Sequence, residues 1–297
     1  MLSFCRYEDP GTRKTRLGIL RCHCEGGLPD SVITLTDLLD LETEKRWLAD
    51  NVFLQQDASE IFAKAATADA WSVAPDRFLP PVADPEKVLC IGLNYRDHAI
   101  ETGSPIPDLP IVFSKFNTAL VGFGDAIVLP PISNAVDYEA ELVVVIGAPA
   151  RCVSEANAME HVFGFTAGHD VSSRDWQKGR PGGQWLLGKS FDTFAPVGPG
   201  VIPISQIPDW ESTRVRLQMG EDCLQDSTLK QLIFGVPSLI AHLSQFMTLK
   251  PGDLIFTGTP PGVGDARVPP RYLQNGDRPR VVLGDFMSLE NPVVDTT

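Results

Sequence analysis

Residues Asp137-Tyr138-Glu139-Ala140-Glu141-Leu142-Val143-Val144-Val145-Ile146-Gly147 decide how this chain is read. The run from Leu142 to Ile146 is apolar, rich in β-branched residues, and stops at a glycine. That length and composition predict a buried strand. Alternate residues of a strand share a face, so Glu139 and Glu141 point the same way. Two carboxylates that close, at the head of a buried strand, are costly unless positive charge joins them. A hard divalent cation meets the need, because Mg2+, Mn2+ and Ca2+ take oxygen ligands. The competing reading is structural: one glutamate is solvated at the strand end and the other meets a lysine. The E-x-E spacing alone does not choose between them.

The whole chain bounds the answer. Its 297 residues, 43% hydrophobic and 21% charged, suit one large domain or a small one with a large one. A formal charge of -13 argues against nucleic acid, whose phosphates select basic surfaces. No apolar run is long enough for a membrane span. Residues Met1–Leu20 lack an apolar core of the kind that directs secretion, so a cytoplasmic protein is expected. Arg6, Arg13, Lys14 and Arg16 keep a mitochondrial presequence as the alternative, against Glu8 and Asp9. The six cysteines have no framework spacing and are expected to be reduced thiols. Cys22-His23-Cys24 has no second ligand pair and is not read as a metal site.

Residues 1–30 suggest short strands. Asp37–Ala49 and Ala58–Ala70 have helical spacing, with Thr36 and Asp57 as caps. Ala74–Pro85 is proline-rich and reads as a linker, which divides a small N-terminal α+β domain, 1–80, from a larger domain, 85–297. Lys87–Gly92 reads as a strand. Asn94 and Gly103 bracket a short helix on which His98 and Glu101 are three apart and share a face. A carboxylate beside an imidazole fixes its tautomer and makes it a general base for water. The rival is a surface His–Glu pair.

After the E-x-E strand come a helix, Ser154–His161, and a strand, Val162–Ala167, that runs into Asp170. Asp170, Arg174 and Gln177 lie at helical offsets, presenting a carboxylate, a guanidinium and an amide together. Arg and Gln suit a substrate carboxylate or carbonyl. The rival is an ordinary helix capped by Asp170. Lys189 stands between glycine and serine in an apolar stretch. Buried, it needs an anionic partner and would stabilise developing negative charge; otherwise it snorkels to the surface. The C-terminal third is strand-rich, with a hairpin around Gly220-Glu221-Asp222 and a helix over Val236–Met247. Gly258-Thr259-Pro260-Pro261-Gly262-Val263-Gly264 would bring Thr259 and backbone N–H groups to an anionic substrate.

Five segments in order resemble the fumarylacetoacetate hydrolase family: Gly92–Glu101, Asp137–Leu142, His169–Asp175, Gly188–Phe194 and Thr257–Gly264. The resemblance covers roughly residues 85–294. It implies a mainly β fold with α-helices (α+β), a rolled β-sheet domain preceded here by a small N-terminal domain, in a homodimer. It implies that Glu139, Glu141 and Asp170 hold Mg2+ or Mn2+, with Ca2+ as an alternative. His98 and Glu101 would be the catalytic dyad on a mobile segment, and Lys189 would stabilise the enolate or oxyanion. Arg174, Gln177 and Thr259 would position the substrate. Within the family, Gly183–Lys189 looks closest to the branch of fumarylacetoacetate hydrolase domain-containing protein 2. Fumarylacetoacetase itself adds an aspartate ligand where this chain is apolar, around Leu89–Ile91, which argues against fumarylacetoacetate as the substrate.

The expected activity is metal-dependent chemistry on a small 1,3-dicarbonyl or 2-oxo acid through an enolate. Hydrolytic C–C cleavage of an acylpyruvate comes first, because His98 and Glu101 suit water activation. The same residues serve oxaloacetate tautomerisation or isomerisation, or decarboxylation of a β-keto acid. A non-catalytic metal-binding protein on the same fold is the reading from another class.

Overall fold

The strand that anchors the sequence forms as Ala140–Ile146, and every residue in it is buried. Its run is continuously apolar because both faces are covered. Leu142, Val144 and Ile146 enter one core with Leu217, Val281 and Leu239. Val143 and Val145 enter a second core with Phe4, Phe53 and Ile61. The computed structural model describes residues 1–21, 32–68 and 73–296. Cys22-His23-Cys24 and the end of the helix expected over Ala58–Ala70 lie outside the described residues.

The fold is mixed α+β and mostly strands. Ala140–Ile146 sits inside an 11-stranded sheet, between Val162–His169 and Leu254–Phe256. Beyond Leu254–Phe256 the sheet continues through Val88–Gly92 to an edge at Ile111–Ser114. On the other side it passes through Ala195–Pro203 and Leu2–Glu8 to Thr15–Arg21 and Val32–Thr34. The path is open, not a closed barrel. A four-stranded sheet of Asp222–Thr228, Arg214–Met219, Pro279–Leu283 and Met287–Glu290 packs across the first core. The helix Val236–Phe246 closes that core with Val236, Leu239, Ile240 and Leu243.

Several local expectations change. The helix expected over Asp37–Ala49 is two, Leu35–Leu38 and Leu41–Leu48, capped by Thr34 and Asp40. Thr36 instead joins Arg16 and Glu44 in a side-chain network. Asp57 does accept the N–H of Ser59 at the head of the helix Ser59–Ala66. Inside the proline-rich segment, Arg77–Leu79 forms a strand against Leu2–Glu8. The dyad helix is Arg96–Thr102, closed by Gly103 in the left-handed region at φ 63°. Asn94 does not cap it. Its amide instead bridges the carbonyls of Phe234 and Thr257, tying the helix entry to two distant segments. No helix of the described residues is long and apolar enough to cross a membrane.

Candidate metal centre and active site

Two strand ends build the centre of the site. Glu141 lies on Ala140–Ile146 and Glu139 just precedes it. The neighbouring antiparallel strand, Val162–His169, pairs His169 with Ala140. Asp170 is the next residue, and its N–H donates to the Glu139 carbonyl at 2.9 Å. Glu139, Glu141 and Asp170 are all buried, and each offers an oxygen within 4.8 Å of the others. Asp170 therefore arrives by strand pairing. The helix expected from its spacing to Arg174 and Gln177 starts only at Arg174, because Ser172–Ser173 first pairs with Val136–Asp137.

Three buried cations surround these carboxylates. Lys189 Nζ donates to Glu139 Oε2 at 2.8 Å and to Asp170 Oδ2 at 2.7 Å. It does not snorkel: the short helix Trp185–Lys189 packs Gly188 against the backbone of Gln177, where a Cβ would lie 2.7 Å from the Gln177 nitrogen. Arg174 donates to Glu139 Oε1 at 2.6 Å, to Asp137 Oδ2 at 2.8 Å and to Gln177 Oε1 at 2.8 Å. Lys115 Nζ lies 2.8 Å from Asp170 Oδ1.

The charges do not balance evenly. Burial pushes the Glu139 carboxyl up, but Lys189 and Arg174 outweigh it and hold Glu139 far below the usual range. Glu141 is pushed well above that range, by burial first and then by Asp170 and Glu139. It accepts the N–H of Gly258, at 2.8 Å. Asp170 Oδ1 is buried, with the Lys115 ammonium as its neighbour. An all-oxygen donor set and a crowded carboxylate together fit a hard divalent cation.

The dyad forms as read. His98 Nδ1 is 2.9 Å from Glu101 Oε2, and Glu101 Oε1 accepts the N–H of Gly262 at 2.8 Å. Burial opposes the Glu101 charge, but His98 and the Gly262 N–H outweigh it and lower its pKa. The glycine loop thus holds the dyad. Gly262 has φ 103°, and a Cβ there would lie 2.0 Å from the Leu224 carbonyl oxygen.

His98, Glu101, Glu139, Arg174, Gln177, Lys189 and Thr259 line one cavity of about 490 Å³. The same lining includes the apolar side chains of Ile91, Ile111, Trp185 and Val263. Glu141 and Asp170 are fully enclosed behind that lining. The Thr259 hydroxyl donates to the Ala140 carbonyl at 3.0 Å and accepts from Gln225 at 2.8 Å, so much of its capacity goes to holding the loop.

Two residues escaped the sequence reading. Asp137 accepts from Arg174, from its neighbour Tyr138 and from the N–H groups of Gly264 and Asp265. Lys115 is 3% exposed. Its signal was the one that drew attention to Lys189, a lysine flanked by apolar residues, here Phe113 and Phe116.

Residues 87–294 match the family described as fumarylacetoacetate (FAA) hydrolase C-terminal. Oxaloacetate tautomerase FAHD2A, mitochondrial, of Bos taurus is 46% identical over 246 residues, 82% of this chain and 78% of the relative. The Homo sapiens protein of the same name is 45% identical over 246 residues, with the same shares covered. The solved fumarylacetoacetate hydrolase of Exiguobacterium antarcticum is 30% identical, with a TM-score of 0.80 over 100% of both chains. A family match over more than two thirds of the length, carried by the motifs that build the site, assigns the chain: it belongs to the fumarylacetoacetate hydrolase family.

Proposed function

We propose that this protein interconverts the keto and enol forms of oxaloacetate at a divalent cation, Mg2+ or Mn2+, held by Glu139, Glu141 and Asp170. One observation carries the reading: the His98–Glu101 pair and the carboxylate cluster, through Glu139, meet at a single cavity. The names of the relatives support tautomerisation over the hydrolysis that the sequence put first. They also favour a mitochondrial location over the cytoplasm.

The bound cation supplies Lewis-acid polarisation of the carbonyl and lowers the cost of the enolate. The chain's residues move the proton. Glu101 engages Nδ1 of His98, which leaves Nε2 to act on the substrate. Nε2 takes a proton from C3 of the keto form, and the C–H electron pair becomes the C2–C3 double bond. The C2 oxygen takes up the charge and then the proton from Nε2, giving the enol and returning His98 to its neutral form. The ammonium of Lys189 stabilises that oxygen while it is charged. The return of the proton to C3 regenerates the ketone.

A second reading, C–C hydrolysis of an acylpyruvate, uses the same dyad with His98 drawing its proton from water. The solved fumarylacetoacetate hydrolase supports it. The test is the decay of enol-oxaloacetate absorbance with metal present. Wild type should accelerate it and His98→Gln should lose about a hundredfold or more, the range for a positioned general base. An undiminished His98→Gln rate would overturn the assignment.

A further inference from the structure

We propose that Lys115 is a positioning residue for the metal centre, fixing the Asp170 carboxylate from behind. The proposal rests on the metal reading above. An ammonium has three N–H groups. Those of Lys115 go to the carbonyl oxygens of Val171 at 3.0 Å, Phe194 at 2.7 Å and Lys189. Asp170 Oδ1, 2.8 Å from Nζ, is the fourth partner, as an ion pair.

The choice of carbonyls matters. Val171 follows Asp170, and Lys189 carries the ammonium that binds Asp170 Oδ2. One buried cation therefore fixes the backbone beside the carboxylate and the backbone of the carboxylate's other partner. It does so from just beyond the edge strand Ile111–Ser114, on a different segment from every proposed ligand. Asp170 is held between two ammonium groups, Lys189 on Oδ2 and Lys115 2.8 Å from Oδ1, and a carboxylate oxygen so held still has a lone pair for a cation. This arrangement orients a ligand while leaving its donor atom available.

Charge and positioning predict opposite signs for the removal of Lys115. If Lys115 acted only as a nearby positive charge, its loss would tighten the binding of a divalent cation. If it positions Asp170, its loss weakens binding by about ten- to a hundredfold, the usual cost of losing a partner that orients a ligand. The experiment titrates Mn2+ into wild type and Lys115→Met, reading free Mn2+ by electron paramagnetic resonance, with thermal melts of each. Lys115→Gln is run beside them: it has no charge and only two N–H donors for the three carbonyls, so weaker binding is still expected of it and it decides the matter should the Met variant fail to fold.

Weaker Mn2+ binding and an altered bound-Mn2+ spectrum in the folded variants would support the proposal. Wild-type or tighter affinity in folded Met or Gln protein would overturn it, even with a lowered melting temperature, since that pattern marks a purely structural lysine. No Mn2+ binding by wild type would instead overturn the metal reading, a failure the same titration keeps separate.

Discussion

At the residue scale, neighbours decide the role of each carboxylate. Glu139 and Glu141 are two positions apart and both buried, yet Lys189 and Arg174 hold one far down while burial and like charge push the other up. Glu101 is a milder case, lowered from an ordinary 4.5 by His98 and the Gly262 N–H against the pull of burial. A carboxyl whose folded pKa is depressed adds stability above its unfolded pKa and loses it as the pH falls through the folded value. Glu101→Gln should therefore be less stable than wild type at pH 7, with the gap closing as the pH drops below about 4.5. Urea melts at pH 7 and pH 4 check this; a gap that widens in acid would contradict it.

At the element scale, short pieces of structure aim the chemistry. The five-residue helix Trp185–Lys189 sets Lys189 only because Gly188 lets it lie on the backbone of Ser173 and Gln177. Gly188→Ala would place a Cβ 2.7 to 2.9 Å from those backbone atoms, which cannot yield as a side-chain tip would. The expected cost is about 1–3 kcal/mol of stability. A displacement of Lys189 near 1 Å would lower kcat by about a hundredfold. Thermal melts and steady-state kinetics test both; a destabilised enzyme with full kcat would show that this packing does not set Lys189.

The same scale explains what could be read from sequence. The E-x-E strand, the His98–Glu101 face and the Lys189 context are local patterns within a few residues, and each formed. Asp170 was read at a strand end, where it lies, but the helical spacing drawn from it to Arg174 and Gln177 does not hold, because the helix starts only at Arg174. Thr36 was chosen as a cap on its residue type, while tertiary contact with Arg16 and Glu44 claimed it. Lys115 and Asp137 act through partners up to 79 and 128 positions away, and such partners leave no local pattern.

At the scale of the whole molecule, the large sheet joins segments far apart in sequence. Phe4 pairs with Val201, so the N-terminal strands extend the sheet that carries the carboxylates. The opposite edge, Ile111–Ser114, pairs on one side only among the described residues, with Ile111 38% and Val112 39% exposed. An apolar free edge invites pairing, and a second copy is the partner proposed for it. Sedimentation should give twice 32.4 kDa, and Val112→Lys should give the single-chain mass. A wild-type monomer would remove the homodimer from the account.

The central claim is tested most directly by proton NMR on metal-stripped protein, with and without added Mg2+ or Mn2+, offering oxaloacetate and a short acylpyruvate in separate tubes. The account predicts keto–enol exchange of oxaloacetate well above the blank only with metal, and an unchanged acylpyruvate. Pyruvate and a carboxylate from the acylpyruvate, with no acceleration of oxaloacetate exchange, would contradict it and return the site to C–C hydrolysis.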